Sequence, residues 1–176
     1  MSYKIKNDCR ACGSTSLTPV FDLGVQPLAN AHHKPGEACE GFYPLAVNLC
    51  GQCGLAQLSV VVDPKVLYSH YSYVTSASET MKRHFDRLFQ DINSEGGSMS
   101  IVEIGSNDGK LLAHFQSHKW LAIGIDPAAN LEPMAEFHGV ETVVGFFDSK
   151  TAEKARTRLG KHPAVILARH CFAHMD

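Results

Sequence analysis

Ile101-Val102-Glu103-Ile104-Gly105-Ser106-Asn107-Asp108-Gly109 reads as a short apolar strand running straight into a tight loop. Lys110 to His118 follows with Leu111, Leu112 and Phe115 on one face, so this stretch predicts strand, turn and helix. The pattern then repeats. Leu121 to Ile125 predicts a second strand ending in Asp126-Pro127. Pro127 suits the first turn of a helix that carries Leu131, Met134 and Ala135 and stops at Gly139. Thr142 to Phe147 predicts a third strand, and Asp148 caps a helix through Leu159 that Gly160 ends. Ala164 to Ala168 supplies a fourth strand. Strands alternating with helices of this length imply an α/β fold with a parallel sheet, wound as in dinucleotide-binding proteins.

Such a sheet binds its ligand outside the carboxyl ends of the strands. Glu103, Gly105, Asn107, Asp108, Asp126, Phe146, Phe147 and Asp148 fall there, and of these Glu103, Gly105, Asn107, Asp108, Asp126 and Phe147 form the candidate cofactor site. Asp126 stands 21 positions after Gly105, where a carboxylate can accept bonds from both hydroxyls of a ribose. The loop departs from G-x-G-x-x-G, because Asn107 occupies the middle glycine position. That counts against a pyrophosphate, which needs the backbone to approach closely there. S-adenosylmethionine suits the loop better, since it has no phosphate and its ammonium and sulfonium charges favour a site rich in carboxylates. Of Phe146 and Phe147, one ring is expected to wall an adenine pocket and the other to join the core. His114 and His118 have metal-ligand spacing on one helix face but no third ligand, and read as a solvated face.

Upstream, Met81, Phe85, Leu88, Phe89 and Ile92 recur at helical spacing. Ser76 and Glu79 predict a capping box that starts this helix, and Gly96-Gly97 ends it. Before it, Leu67 to Ser78 crowds three tyrosines among hydroxyl residues. The run reads either as a polar connecting loop packing its rings on a neighbour or as a loop presenting phenols and a His to a polar ligand.

Cys9 and Cys12 form C-R-A-C-G, and Cys50 and Cys53 form C-G-Q-C-G, so the two knuckles share both spacing and a following glycine. The two-residue gap lets both thiolates face one tetrahedral ion, and a glycine relieves the tight turn. Four thiolates leave no open coordination position, which makes the predicted zinc structural. Cys39 and Cys171 lack partners at metal spacing and read as small apolar residues, and His32 and His33 are excluded because the shell is already complete. Between the knuckles, Phe21 to Asn30 and Tyr43 to Leu49 predict short strands, and Leu55 to Val62 predicts another before a turn or helix start at Asp63-Pro64. A module this small has little core, so the metal supplies much of its folding energy.

The 176-residue chain is 44% apolar and 19% charged with a net charge of -2, an ordinary globular composition. No basic stripe favours nucleic acid, no apolar run reaches the length of a membrane span, and Met1 to Arg10 lacks the apolar centre of a signal peptide. A cytoplasmic location is expected.

Together the knuckles, Leu23-Gly24 to Asn30, the Tyr-rich loop, E-I-G-S-N-D-G at Glu103 to Gly109, G-I-D-P at Gly124 to Pro127, G-F-F at Gly145 to Phe147 and Cys171-Phe172-Ala173-His174 resemble the zinc-binding sugar C-methyltransferases. The resemblance covers nearly the whole chain in the right order. It implies S-adenosylmethionine as cofactor and a nucleotide-linked keto-deoxysugar as substrate, methylated at the carbon beside its ketone. It also implies catalytic roles for Tyr68, Tyr71 and His174 in orienting the sugar and supporting an enolate. The family's main base, a Glu-His pair in a C-terminal domain, has no counterpart here, and His170 stands where the family usually has Asn.

The expected organisation is a four-cysteine zinc-binding module over residues 1–66, a Tyr-rich loop and linker helix over 67–98, and over 99–176 the first half of a Rossmann-like class I methyltransferase sheet, truncated after its fourth strand. That last strand is expected to present an apolar edge where the remaining strands would pair. The competing reading is a non-catalytic zinc-ribbon binding module with a remnant α/β domain. It would need a basic or aromatic stripe on the knuckles, but Lys4, Lys6 and Arg10 are scattered.

Overall fold

The structure, a computed structural model, describes residues 2–38, 41–94, 96 and 99–175. Cys39 and Gly97, both given roles above, lie outside the described residues. The chain divides into two compact units, residues 1–68 and 69–176. The boundary falls inside the Tyr-rich run, two residues later than the end expected for the zinc module.

Among the described residues, the first unit holds five strands and one short helix. Strand β1 (Tyr3–Ile5) pairs antiparallel with β5 (Val60–Val62), while β2 (Leu17–Pro27), β3 (Phe42–Cys50) and β4 (Ala56–Leu58) form a second antiparallel sheet. Helix α1 (Pro64–Tyr68) closes the unit. Strand β2 is long, unlike the short pieces expected. Register shifts after Pro19 and Asp22 let it absorb Pro19 and Gly24 as irregularities on an edge strand. The single strand expected over Leu55 to Val62 is instead two, because at Ser59 the chain leaves β3 and goes on to pair with β1.

The second unit holds a parallel sheet in the order β8-β7-β6-β9, formed by β6 (Ser100–Ile104), β7 (Leu121–Asp126), β8 (Glu141–Val144) and β9 (Val165–Ala168). The order steps outward from β6 and then returns to its other side, so the switch point lies between β6 and β9. Alternate residues feed two cores. Ile101 and Ala122 join Leu111, Leu112, Phe115 and Trp120 with Phe85 and Phe89, on the face covered by α2 (Glu79–Ile92) and α3 (Lys110–Ser117). Val102, Ile123, Ile125 and Val143 pack with Ala155 and Leu159 of α5 (Ser149–Leu159) on the other. At β9, Ile166 is 64% exposed, and among the described residues this strand pairs only with β6.

Four local expectations are corrected. Ser76 does not cap α2: the helix begins after Ser78, with Thr75–Ala77 a separate 3-10 turn. Helix α4 (Glu132–Phe137) takes Pro133 in its first turn, since Pro127 precedes a 3-10 turn at Ala129–Leu131. The third strand ends at Val144, leaving Phe146 and Phe147 in the following loop. The face of His114 and His118 is solvated only in part: His118 is exposed yet stacks on Phe89 at 4.0 Å between ring centroids, and half-buried His114 meets the same ring edge-on at 5.4 Å. Asp148 does cap α5, its side chain accepting from the Thr151 N–H while its own N–H donates to Thr151 Oγ1.

Candidate metal centre and cofactor site

The two knuckles of the first unit are near copies. Gly13 and Gly54 adopt φ of 73° and 75°, and each donates its N–H to the carbonyl of the first cysteine of its knuckle at 2.9 Å. Only glycine enters this region freely, which explains its repetition after Cys12 and Cys53. The turns bring Cys9, Cys12, Cys50 and Cys53 together, with all four sulfurs within 4.8 Å of one another. Across the knuckles, Cys9 and Cys53 Sγ are 3.5 Å apart and Cys12 and Cys50 Sγ 3.7 Å. A tetrahedral zinc with bonds of about 2.3 Å separates its sulfurs by about 3.8 Å, so the cluster fits that ion. These separations are far beyond the ~2.05 Å of a disulfide.

The knuckle backbone prepares the sulfurs for a cation. The Cys53 and Gln52 N–H groups donate to Cys50 and bring its thiol down to about 6. The Cys12 and Ala11 amides likewise lower Cys9. Cys12 accepts from the Ser14 N–H, yet burial and the three neighbouring thiols push it up to about 12, the strain of crowding sulfurs that a cation would relieve. Gln57, buried and carrying no local sequence signal, braces the first knuckle: its Oε1 accepts the Arg10 N–H at 2.8 Å and its Nε2 donates to the Asp8 carbonyl at 2.9 Å.

In the second unit, the loop after β6 and the end of β7 are joined through Asp126. One of its oxygens accepts the Asn107 N–H and the other the Ala128 N–H, both at 2.8 Å. Burial raises the Asp126 pKa against these two bonds. The loop reaches this position because Gly124 lacks a side chain: a Cβ there would stand 2.3 Å from Ser106 Oγ. Gly105 lies against Cys171, whose Sγ donates to the Ile104 carbonyl at 3.1 Å, so Cys171 packs on the cofactor loop itself.

Glu103 is 1% exposed and forms an ion pair with Arg169, Nη2 to Oε1 at 2.8 Å. Burial pushes its carboxyl up to about 7 although Arg169 pulls it down, and Asp126 and Asp108 add to the rise. Sequence reasoning misses Arg169, yet a carboxylate in the middle of an apolar strand signals that a cation must approach it. The guanidinium also lies 5.1 Å from the centre of the Phe85 ring. Glu103 Oε2 and Arg169 Nη1 are buried without a hydrogen-bond partner among the described residues.

The side chains of Asn107 and Asp108 hold the Tyr-rich segment. Asn107 Oδ1 accepts the Thr75 N–H at 3.0 Å and its Nδ2 donates to the Tyr73 carbonyl at 2.9 Å. Asp108, fully buried, accepts from Thr75 Oγ1 at 2.5 Å and the Ser76 N–H at 3.0 Å. Burial raises the Asp108 pKa, but these donors outweigh it and hold the group below the usual carboxylate range. Asn130, also missed by sequence reasoning, pairs with both main-chain groups of Tyr71.

The remaining expected positions fall on separate elements. Phe147 is 45% exposed in the loop after β8. His174 ends an exposed 3-10 turn after β9, and His170 before it adopts φ of 53°, a region that Asn and His tolerate. Tyr68 closes α1 in the first unit, whereas Tyr71 belongs to the second.

Comparison with known proteins agrees with this division. Residues 9–68 match the family described as "Putative zinc binding domain", and residues 73–176 match the family described as "Methyltransferase domain". The chain therefore belongs to the methyltransferases, with S-adenosylmethionine as the domain's cofactor and zinc as the ion of the four-cysteine unit. It is 34% identical over 175 residues to the C-methyltransferase NovU of Streptomyces niveus, covering 96% of this chain. The chain spans 41% of the length of that relative.

Proposed function

We propose that this protein transfers a methyl group from S-adenosylmethionine to a carbon beside the ketone of a nucleotide-linked keto-deoxysugar, in the cytoplasm. The reading is supported above all by the alignment of 96% of the chain with a C-methyltransferase. No described helix is long and apolar enough to cross a membrane. Residues 1–66 act as a zinc-held module, 67–98 as a tyrosine-bearing linker and 99–176 as the cofactor platform.

S-adenosylmethionine supplies the electrophilic methyl group. The chain's own residues bind and orient. Gly105 and Asn107 would form the turn beneath the bound cofactor, Asp126 would accept from the ribose hydroxyls, and Phe147 would flank the adenine. The orphaned Glu103 oxygen suits an ammonium, and the orphaned Arg169 nitrogen suits a carboxylate, so together they match the amino-acid end of the cofactor. Asp108 adds negative charge near two cationic centres. Tyr68, Tyr71 and His174 orient the sugar and donate to the oxyanion that develops as the Glu-His base implied by the family resemblance takes the proton beside the ketone.

The test is to incubate protein expressed from its complete reading frame with methyl-labelled S-adenosylmethionine and a nucleotide-linked keto-deoxysugar. Label on a sugar carbon is expected, and Tyr71→Phe should lower kcat. Label on oxygen or nitrogen, or none, overturns the reading.

A further inference from the structure

The Tyr-rich segment from Tyr71 to Val74 has no helix or strand of its own. Its main chain is instead held by two side-chain amides. Asn130 Oδ1 accepts the Tyr71 N–H at 2.9 Å, and Asn130 Nδ2 donates to the Tyr71 carbonyl at 2.8 Å. Asn107 does the same further on, joining the Thr75 N–H and the Tyr73 carbonyl. Each carboxamide therefore imitates one rung of a β-ladder. At neutral pH an amide does this where a carboxylate does not, since it sets one acceptor and one donor side by side. A carboxylate offers acceptors alone and would repel the Tyr71 carbonyl.

The two clasps meet at Asp126. One of its oxygens fixes the loop that carries Asn107, and the other fixes Ala128, at the start of the turn that carries Asn130. Whatever ligates Asp126 bears on both clasps.

We propose that Asn130 is a positioning residue, whose amide clamps the main chain of Tyr71 and couples the tyrosine strap to the cofactor site at Asp126. The clamp's two bonds go to the backbone of Tyr71, so it sets where the phenol starts from. Coupling to the cofactor rests on the methyl-transfer reading of the second unit; the clamp does not.

The experiment is amide hydrogen exchange on protein expressed from its complete reading frame, with and without S-adenosylhomocysteine, for the native protein, Asn130→Ala and Asn130→Asp. Buried Trp120, the single tryptophan, reports by fluorescence whether the sheet core is intact. Losing this half-buried pair of bonds is expected to speed exchange over residues 71–75 about tenfold in Asn130→Ala, with strand β6 unchanged. Asn130→Asp, which keeps the shape, should be equally deprotected at neutral pH. It should recover protection relative to the native chain as pH falls through about 4, where the protonated carboxyl regains a donor. S-adenosylhomocysteine should slow exchange over 71–75 in the native chain and less so in both variants.

Unchanged exchange over 71–75 in both variants, with Trp120 fluorescence intact, overturns the clamp. No recovery of Asn130→Asp at low pH overturns the donor role of Nδ2. Deprotection in the variants without any effect of S-adenosylhomocysteine on the native chain leaves the clamp standing and removes its coupling to the cofactor.

Discussion

The two units reach stability by different means. In the first, the buried side chains among the described residues are Cys9, Tyr43, Cys50, Gln57 and Val60, of which two are sulfur ligands and one braces a knuckle. Val20, Phe21, Leu23 and Val25 along β2 all remain about half exposed. The second unit instead packs two apolar layers against a parallel sheet. A fold of the first kind depends on its metal, whereas a fold of the second kind depends on shape complementarity and tolerates buried charge only where a partner is supplied.

Metal removal should expose this contrast most strongly. Structural zinc sites contribute about 10–16 kcal/mol of apparent binding energy, far more than the small core of the first unit can replace. A strong chelator is expected to release about one zinc per chain and unfold residues 2–68, while the fluorescence of buried Trp120 in the second unit stays unchanged. Loss of both units together in one transition would show that they are not independent.

A smaller effect belongs to the buried charge of the second unit. Burial lifts Glu103 to about 7 from an ordinary 4.5, so the folded chain binds more protons than the unfolded chain between those values. Its contribution to stability is therefore complete below pH 4.5 and is lost as pH rises through 7, a fall of about 3 kcal/mol. Glu103→Gln should flatten this part of the stability curve measured by urea unfolding. A native curve that rises from pH 5 to pH 7, with the rise abolished by Glu103→Gln, would mean the Arg169 pair outweighs burial.

The contrast also governs what the sequence makes legible. The cysteine quartet is readable because metal geometry forces a fixed spacing and a glycine with positive φ, and both leave marks in the chain. The β6-loop-α3 unit is readable because apolar period and turn chemistry agree there. The capping box at Ser76 fails because a tertiary donor role wins: the Ser76 N–H goes to Asp108, 32 positions away. Asn130, Arg169 and Gln57 stay hidden for the same reason. Each acts on backbone or charge distant in the chain, and nothing in the local pattern of a polar residue says which distant group it meets. Phe146 and Phe147 look like strand because aromatic residues favour strands, but Gly145 at φ 154° turns the chain out of the sheet first.

An S-adenosylmethionine platform centred on Asp126 has a direct signature in solution, read by calorimetry of the zinc-loaded protein, expressed from its complete reading frame, with S-adenosylhomocysteine. Binding is expected, weakened about 10- to 100-fold by Asp126→Asn, the loss of about 1.5–3 kcal/mol for a hydrogen bond to a charged group. Absence of binding, or binding that Asp126→Asn leaves untouched, would contradict it.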